Sequence, residues 1–304
     1  MALHQRSEAK PPAGQDLPCG ADLLAWRQRQ LAVGGRAADL DWLVDLGGGL
    51  PWTALQSLRL DPSASVRLSQ SLDGLEQLWR RHLSTAEPLQ YLVGLCPWRD
   101  LQLLVAPGVL IPRQETELLV ELALAVREGD PPQLWADLGT GSGCIARALA
   151  QAWPLSRGLA VELSPGAIAI AQENLRANLQ AKQVELLQGS WWEPLRPWWG
   201  QLEVVVANPP YIPTAVWADL EPVVKEHEPI TALDGGADGL KALRAIAVDA
   251  TAALAPGGWL FVEHHHDQST AVQALLADHG LGEVTAHPDL EGTSRFVAAR
   301  RPLP

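Results

Sequence analysis

L-W-A-D-L-G-T-G-S-G, residues 134–143, joins a short apolar segment to a glycine-rich loop, and an apolar helical pattern through Ile145 and Leu149 follows it. A short apolar run that ends in glycine is typical of a buried strand, so the order is strand, glycine loop, helix. Glycines let the backbone turn sharply and approach a ligand with no side chain in the way. The stretch therefore predicts an α/β fold with a ligand at the end of this strand.

The spacing of the glycines indicates which class of ligand the loop accepts. A dinucleotide fingerprint needs a glycine one place after Gly143, where this chain has Cys144, so pyrophosphate binding is disfavoured. A nucleoside with an amino-acid tail crossing the loop fits better. Glu162 ends the next predicted strand, Leu159 to Val161, and its carboxylate could accept both ribose hydroxyls. The alternative is a solvated charge at a strand end.

A tryptophan follows the third predicted strand, Val184 to Leu187. Trp191 comes directly off this strand in Gly189-Ser190-Trp191-Trp192, and its indole could lie against an adenine face. Trp198 and Trp199 follow and are as consistent with plain packing.

Asn208-Pro209-Pro210-Tyr211 follows another Val-rich strand pattern, Leu202 to Ala207. Open α/β sheets place ligands at the carboxyl ends of their strands. This motif suits methylation of a planar nitrogen. Such a nitrogen is a weak nucleophile because its lone pair is delocalised. Two fixed hydrogen-bond acceptors, one for each N–H group, would aim the lone pair at a methyl donor. The Asn208 side-chain oxygen and the Pro209 carbonyl are candidate acceptors, the two prolines stiffen the backbone, and Tyr211 could wall one face. The alternative is an ordinary turn after a strand.

Composition narrows the class of protein. The 304 residues carry a formal charge of -12, which disfavours a sequence-tolerant nucleic-acid binder. Three scattered cysteines indicate a reducing compartment. The first twenty residues have no signal-peptide pattern, and no apolar run reaches membrane length, so we expect a cytoplasmic protein without membrane contact.

Three segments of the chain differ in their predicted secondary structure. The pattern of residues 1–86 predicts a helical bundle that binds a partner. We expect the first fifteen residues to be loose. The helical pattern runs from Asp16 to Ser84, and its fourth helix spans Ser63 to Leu83. Residues 87–112 predict a β-hairpin linker. Residues 113–304 form the domain with the glycine loop, opening with a helix from Arg113 to Val126 and including a helix from Gly166 to Leu179.

The later part of the chain adds two features. A long irregular stretch runs from the Asn-Pro-Pro-Tyr motif to Gly239 and is predicted to cover the substrate. His264-His265-His266 follows the strand Trp259 to Glu263. Zinc-ligand spacings are absent, and strand alternation would send neighbouring imidazoles to opposite faces, so we predict no metal site. A closing antiparallel pair, Glu283 to Ala286 and Arg295 to Ala299, ends the sheet.

Together these motifs resemble those of the class I AdoMet-dependent methyltransferases. The similarity is more specific to the bacterial release-factor glutamine N(5)-methyltransferase (PrmC/HemK) family. It is carried by V-L-I-P-R-Q-E-T-E (109–117), D-L-G-T-G-S-G (137–143) and N-P-P-Y-I (208–212), with support from Q-Y-L-V-G (90–94), E-P-I-T-A-L-D-G-G-A-D-G-L (228–240) and D-L-E-G-T-S-R (289–295). The resemblance implies a Rossmann-like seven-stranded sheet with a small N-terminal helical domain.

The resemblance also implies an activity: methyl transfer from S-adenosylmethionine to the glutamine amide of the Gly-Gly-Gln motif in class 1 peptide-chain release factors, with no metal, covalent intermediate or general base. Asn208 and the Pro209 carbonyl would hold the amide, and Pro210 and Tyr211 would shape the slot. The implied cofactor contacts are Gly139, Thr140, Gly141, Ser142 and Gly143 for the methionine tail, Glu162 for the ribose, Trp191 for the adenine, and Asn208.

Three departures from the family pattern are Gln114 in place of a usual proline, Ser190 where many members have an acid near the adenine, and the triple histidine. Two other functions remain open at this point. One is a nucleic-acid amino-methyltransferase acting on adenine N6 or guanine N2, which would use the same Asn-Pro-Pro-Tyr logic on a flipped base. The other is a non-catalytic protein of the same fold that binds a partner through its helical domain.

Overall fold

The computed structural model of the protein describes residues 18–177 and 183–304. The chain divides into two compact units between Leu95 and Cys96, inside the segment predicted to be a linker. The predicted loose residues 1–15 and the predicted helix ends at Asp16 and Leu179 lie outside the described residues.

The first unit is helical. Leucine and tryptophan side chains from its helices form one buried core that includes Leu23, Leu43, Leu55, Leu75 and Trp79. The helices are α1 (Gly20–Val33), α2 (Ala37–Leu46), α3 (Trp52–Ser57), α4 (Leu72–Thr85) and α5 (Leu89–Val93).

Two predictions in this region are wrong in their boundaries. The fourth helix, predicted from Ser63, begins only at Leu72, because the Ser71 hydroxyl accepts the Gly74 N–H at 3.1 Å and caps the helix there. The predicted hairpin occupies only part of residues 87–112. Its first part is instead helix α5, which ends at Gly94 with a positive φ of 76°. The hairpin itself is β1 (Leu95–Trp98) and β2 (Leu101–Leu104).

The second unit contains a mixed seven-stranded sheet in the order β5-β4-β3-β6-β7-β9-β8. The first five strands in this order are parallel, and β9 pairs antiparallel with both β7 and β8. The predicted Rossmann-like α/β fold is confirmed. The elements are α6 (Glu117–Ala125), β3 (Leu134–Leu138), α7 (Cys144–Ala152), β4 (Arg157–Glu162), α8 (Pro165–Arg176), β5 (Val184–Gln188), β6 (Leu202–Ala207), α9 (Thr214–Trp217), α10 (Pro222–Lys225), α11 (Lys241–Ala253), β7 (Leu254–Glu263), α12 (Ser269–Asp278), β8 (Gly282–Pro288) and β9 (Ser294–Arg300).

Helices cover both faces of the sheet because the central strands are apolar on both sides. In β3, Ala136 and Leu138 belong to the core that α11 and α12 complete, whereas Trp135 belongs to the core completed by α6, α7 and α8. Strand β3 is buried throughout, and β6 is buried at every position except Glu203, as expected for parallel strands between two helical layers.

The structure differs from the sequence prediction at three further places. Helix α6 begins at Glu117 and not at Arg113. The stretch between Tyr211 and Gly239 is not wholly irregular, since it contains α9, α10 and a 3-10 turn at Ile230–Ala232. Strand β7 starts at Leu254, before Pro256-Gly257-Gly258, and its register against β6 shifts between Leu202 and Val204.

Candidate active site

A pocket of about 440 Å³ lies at the carboxyl ends of β3, β4 and β6. Strand β3 is central: β4 lies on one side of it and β6 on the other, so the direction of the chain connections reverses beside β3. That reversal opens a crevice, which is where open α/β sheets bind ligands. The volume suits a small organic ligand, for which pockets of about 300–1,000 Å³ are usual.

The glycine loop after β3 forms the floor of this pocket. Gly139, Gly141 and Gly143 have φ values of 74°, 57° and 79°, in the left-handed region that favours glycine. A Cβ on Gly139 would lie 3.2 Å from the Trp191 ring. All five predicted loop positions except Gly143 line the pocket.

Two side chains without a predicted role, Asp137 and Asn174, fix the loop. The buried Asp137 carboxylate accepts the Thr140 hydroxyl at 2.6 Å and the Ala146 N–H at 3.2 Å, and burial raises its pKa to about 7. Buried Asn174 on α8 donates to the Ser142 carbonyl at 2.8 Å. Asn174 lies far from the loop in sequence, so no local pattern marks it.

Glu162 lies at the end of β4, as predicted, and lines the pocket. Its Oε2 accepts the Gly141 N–H at 2.9 Å, and its Oε1 accepts the N–H groups of Leu163 and Ser164, both at 2.8 Å. The carboxylate therefore ties the glycine loop to the β4 end. Each carboxylate oxygen has two lone pairs, so Glu162 retains capacity to accept ligand hydroxyls.

Trp191 and Trp192, which follow β5, have different surroundings: the first lines the pocket and the second packs in the core. Trp191 has a φ of 45°, lines the pocket and lies against the glycine loop. Trp192 is buried, and its Nε1 donates to the Ile246 carbonyl at 2.8 Å, so it belongs to the core. Ser190 also lines the pocket.

The Asn-Pro-Pro-Tyr motif follows β6, and Asn208 and Pro210 line the same pocket as the glycine loop. Asn208 Nδ2 donates to Thr116 Oγ1 at 2.9 Å. The Thr116 hydroxyl donates to Glu263 Oε2 at 2.8 Å, and the Tyr211 hydroxyl donates to Glu263 Oε1 at 3.0 Å. Tyr211 thus directs its hydroxyl at Glu263, and Pro209 is buried.

Burial governs the titration of this cluster. It raises the pKa of Glu263 to about 7, although the hydrogen bonds from Thr116 and Tyr211 oppose the shift. The pKa of Tyr211 is raised well above its ordinary value, first by burial and then by the neighbouring Glu263. Neither Thr116 nor Glu263 has a role predicted from the sequence. The family-like stretch ending in R-Q-E-T-E contains Thr116 but does not reveal its partners.

An ion pair between the partly exposed Arg113 and the buried Glu228 joins two segments that line the pocket. Arg113 donates to Glu228 Oε1 at 2.6 Å, and the Ile111 N–H donates to Glu228 Oε2 at 3.2 Å. The residues around this pair, 108–116 on one side and 229–232 on the other, contribute Val109, Leu110, Pro112, Pro229 and Thr231 to the lining. Two of the family-like stretches therefore meet at Glu228.

The three histidines follow β7, which ends at Glu263, so strand alternation does not apply to them. The His265 and His266 ring centroids are 4.1 Å apart, and His265 Nδ1 lies 2.7 Å from Asp267 Oδ1. The ligand atoms of these three side chains lie within 4.8 Å of one another, which removes the geometric objection to a shared metal at His265 and His266. His264 is buried with Nδ1 against the His265 carbonyl.

Comparison with known proteins identifies the family. The family model described as Methyltransferase small domain matches residues 114–218. A release factor glutamine methyltransferase from Prochlorococcus marinus is 49% identical over 283 residues, covering 92% of this chain and 97% of that protein. Another from Geobacter sulfurreducens is 39% identical, covering 91% and 95% respectively.

A solved structure agrees at the level of the fold. The catalytic domain of hMettl16, in complex with an RNA hairpin, has a TM-score of 0.52 at 15% identity, covering 76% of this chain and 82% of that chain. At that identity only the class I methyltransferase fold is shared. The extent of the sequence identity to the curated relatives shows that this chain belongs to the release factor glutamine methyltransferase family.

Proposed function

We propose that the protein transfers a methyl group from S-adenosylmethionine to the side-chain amide nitrogen of the glutamine in the Gly-Gly-Gln motif of class 1 peptide-chain release factors. The observation that carries this proposal is the convergence of two motifs on one pocket. The glycine loop with Glu162 and Asn208 with Pro210 line the same cavity, although they come from different strand ends. A donor site and an acceptor site within one cavity are what a group transfer needs.

The cofactor half of the pocket comprises the loop from Gly139 to Gly143, Glu162 and Trp191. The side-chain-free loop would let an amino-acid tail pass, Glu162 would accept ribose hydroxyls, and Trp191 would border the adenine. Asn208 lines the same pocket and would lie where the two halves meet. When bound, S-adenosylmethionine supplies a methyl group on a sulfonium, which is a good leaving group.

The acceptor half would hold the glutamine amide. Asn208 Oδ1 and the Pro209 carbonyl would each accept one amide N–H, which aims the nitrogen lone pair at the methyl carbon. The two prolines would keep these acceptors fixed. Pro210, which lines the pocket, would shape the slot directly, whereas Tyr211, whose hydroxyl donates to Glu263, would shape it from behind the pocket lining. The amide proton is far more acidic after transfer and can leave then, so the residues need only to position and polarise. We therefore expect the reaction to need no metal and no general base.

The names of the curated relatives support a glutamine side chain over a nucleic-acid base as acceptor. The net charge of -12 points the same way, since phosphate backbones bind basic surfaces. Membership of a methyltransferase family disfavours the non-catalytic alternative.

In this proposal the helical unit contacts the release factor, and the protein works in the cytoplasm. Within the described residues, no helix is long and apolar enough to cross a membrane.

The proposal is tested by methyl transfer from labelled S-adenosylmethionine to a purified class 1 release factor, with RNA and DNA as parallel acceptors. Peptide mass mapping should place the label on the Gly-Gly-Gln glutamine. Label on nucleic acid alone would contradict the proposed acceptor and favour the amino-methyltransferase alternative. Absence of label on every acceptor, with S-adenosylmethionine still bound, would contradict the proposed reaction.

A further inference from the structure

A chain of hydrogen bonds runs behind the proposed acceptor site and links Asn208 to a buried carboxylate. Asn208 Nδ2 donates to Thr116 Oγ1 at 2.9 Å, and Thr116 donates to Glu263 Oε2 at 2.8 Å. Tyr211 donates to the other oxygen of Glu263 at 3.0 Å. Thr116 and Glu263 are 2% and 1% exposed, so water does not compete for these bonds. We call these four residues the Asn208–Glu263 network.

The direction of these bonds is fixed by the chemistry of the last member. An ionised carboxylate only accepts hydrogen bonds, so both hydroxyls must donate to Glu263. The Thr116 hydroxyl has a single hydrogen, and once that hydrogen is given to Glu263 its oxygen can only accept. Asn208 must therefore present its NH₂ group to Thr116, which leaves Oδ1 at the opposite end of the amide.

This direction matters because an asparagine amide is almost symmetric in shape. A rotation of 180° about the last side-chain bond exchanges Nδ2 and Oδ1 with little change in packing. With Oδ1 toward the pocket, Asn208 accepts an N–H from a substrate amide. With Nδ2 toward the pocket, two NH₂ groups would face each other, and the substrate would be repelled.

We propose that Thr116 and Glu263 are positioning residues that hold the Asn208 amide with its oxygen toward the substrate nitrogen. They act through Asn208: Thr116 also lines the pocket, but its hydroxyl is engaged by Glu263 and Asn208. The inference rests on the proposed function, because it assumes that the acceptor is an amide or amino nitrogen carrying N–H groups. It adds to that function a reason why a hydroxyl at 116 and a carboxylate at 263 are needed.

The charges around Glu263 make the network sensitive to pH. Burial and Glu115, before α6, favour the protonated form, whereas Arg295 on β9 and the hydroxyls of Thr116 and Tyr211 favour the ionised form. These effects together raise the pKa of Glu263 to about 7. A protonated Glu263 can donate to Thr116, which frees the Thr116 hydrogen and removes the constraint on Asn208. Activity should therefore fall as the pH decreases below about 7.

The first test compares Thr116→Val with Thr116→Ser in the full-length protein, using labelled S-adenosylmethionine and a class 1 release factor. Thr251→Val is the matched control, because the Thr251 hydroxyl donates to the His279 carbonyl at 2.6 Å, away from the pocket. Thr116→Val leaves Asn208 Nδ2 unpaired and should lower kcat about 10- to 100-fold. Thr116→Ser should restore most of the rate, and Thr251→Val should match the wild type.

A calorimetric titration with S-adenosylhomocysteine checks that the cofactor half is intact, and its dissociation constant should be the same in both Thr→Val variants. If Thr116→Val methylates the release factor as fast as Thr251→Val does, Thr116 has no positioning role. If it loses S-adenosylhomocysteine binding together with activity, the residue serves the fold of the pocket and the inference is also wrong.

Two further measurements separate positioning from a general structural role. In an Asn208→Ala background, Thr116→Val should cause no additional loss in single-turnover rate, because its effect passes through Asn208. A double variant whose rate loss equals the product of the two single losses would contradict this. Glu263→Gln has one acceptor oxygen in place of two, so it should be slower than wild type and should not show the decline below about pH 7. The same decline in both proteins would overturn the role of Glu263.

The proposed function and this inference fail in different ways. The acceptor labelled by the wild-type protein tests the function and does not depend on any variant. The ratios of rates among the Thr116, Thr251 and Glu263 variants test the positioning role on whichever acceptor the wild type labels.

Discussion

The glycine loop allows a pair of matched substitutions that separate cofactor binding from stability. Gly141 and Gly143 both have a left-handed backbone, with φ values of 57° and 79°. Their surroundings differ. A Cβ on Gly143 would lie 3.2 Å from the Ala171 Cβ and 3.3 Å from its Cα, on helix α8. A Cβ on Gly141, which lines the pocket, would meet no atom closer than 4.0 Å.

These distances give the expected magnitudes. Alanine in a left-handed conformation costs about 1–2 kcal/mol, and we expect Gly141→Ala to lose this much free energy of unfolding. Gly143→Ala adds crowding against backbone and Cβ atoms of α8, which costs about 1–3 kcal/mol more, so its total loss is about 2–5 kcal/mol. For cofactor affinity the order is reversed, because the methyl group of Gly141→Ala occupies the pocket. A clash of about 1–3 kcal/mol weakens binding about 5- to 150-fold.

The assay measures the thermal midpoint of each variant without ligand and the dissociation constant for S-adenosylhomocysteine by calorimetry. Gly143→Ala should have the lower midpoint, and Gly141→Ala should have the weaker binding. Wild-type affinity in Gly141→Ala would refute the assignment of the glycine loop to the cofactor. Equal midpoints in the two variants would refute the packing argument against α8.

Four other changes test separate parts of the account. Asn208→Ala should lower kcat about 100-fold or more while S-adenosylmethionine binding stays near wild type in a titration, and near-normal turnover would disprove the amide-holding role. Glu162→Ala should weaken S-adenosylmethionine binding about 10- to 100-fold and slow bound-state chemistry less, whereas unchanged affinity would remove Glu162 from the site. Burial raises the pKa of Asp137 from 3.8 to about 7, so the folded state favours the protonated carboxyl. This preference stabilises the fold fully below about pH 4, and the stabilisation is lost as the pH rises to about 7. Asp137→Asn should make thermal stability fall less steeply across that window, and an unchanged slope would contradict the burial argument. Arg113→Met leaves the buried Glu228 carboxylate without its cation and should cost about 1–3 kcal/mol by urea unfolding, while wild-type stability would show that the pair is not needed.

Local signals in the sequence predict where the glycine loop and Glu162 lie in the fold. Asp137 and the glycine loop belong to one strand–loop–helix unit, and Glu162 ends the following strand. Backbone conformation in such a unit depends on neighbouring residues, and the carboxyl ends of adjacent parallel strands must meet. The topology of the sheet then brings these residues into one pocket without further information.

The surroundings of Asn208 depend on contacts between distant residues, and the sequence does not reveal them. Thr116 and Glu263 are 147 residues apart, and Asn208 reaches Thr116 across 92 residues. Each of these side chains has an ordinary local pattern. Only the adjacency of β6 and β7 and the position of the segment before α6 bring them together, so their roles required the structure.

The boundary errors also have physical causes. Residues 89–93 have strand-like apolar composition, but Pro88 at the N-cap and left-handed Gly94 frame a helical turn. Strand β7 was expected to start after Pro256-Gly257-Gly258, since proline and glycine usually mark a turn. The strand tolerates them because its register against β6 shifts at that point.

The most direct test of the central claim is methyl transfer to a release factor whose Gly-Gly-Gln glutamine is replaced by glutamate, measured beside the unmodified factor. A glutamate side chain has no N–H for Asn208 or the Pro209 carbonyl to accept and no nitrogen to methylate. The account predicts that the unmodified factor is labelled at its glutamine and that the glutamate form receives no label. Equal labelling of the two factors would show that the pocket holds a different acceptor.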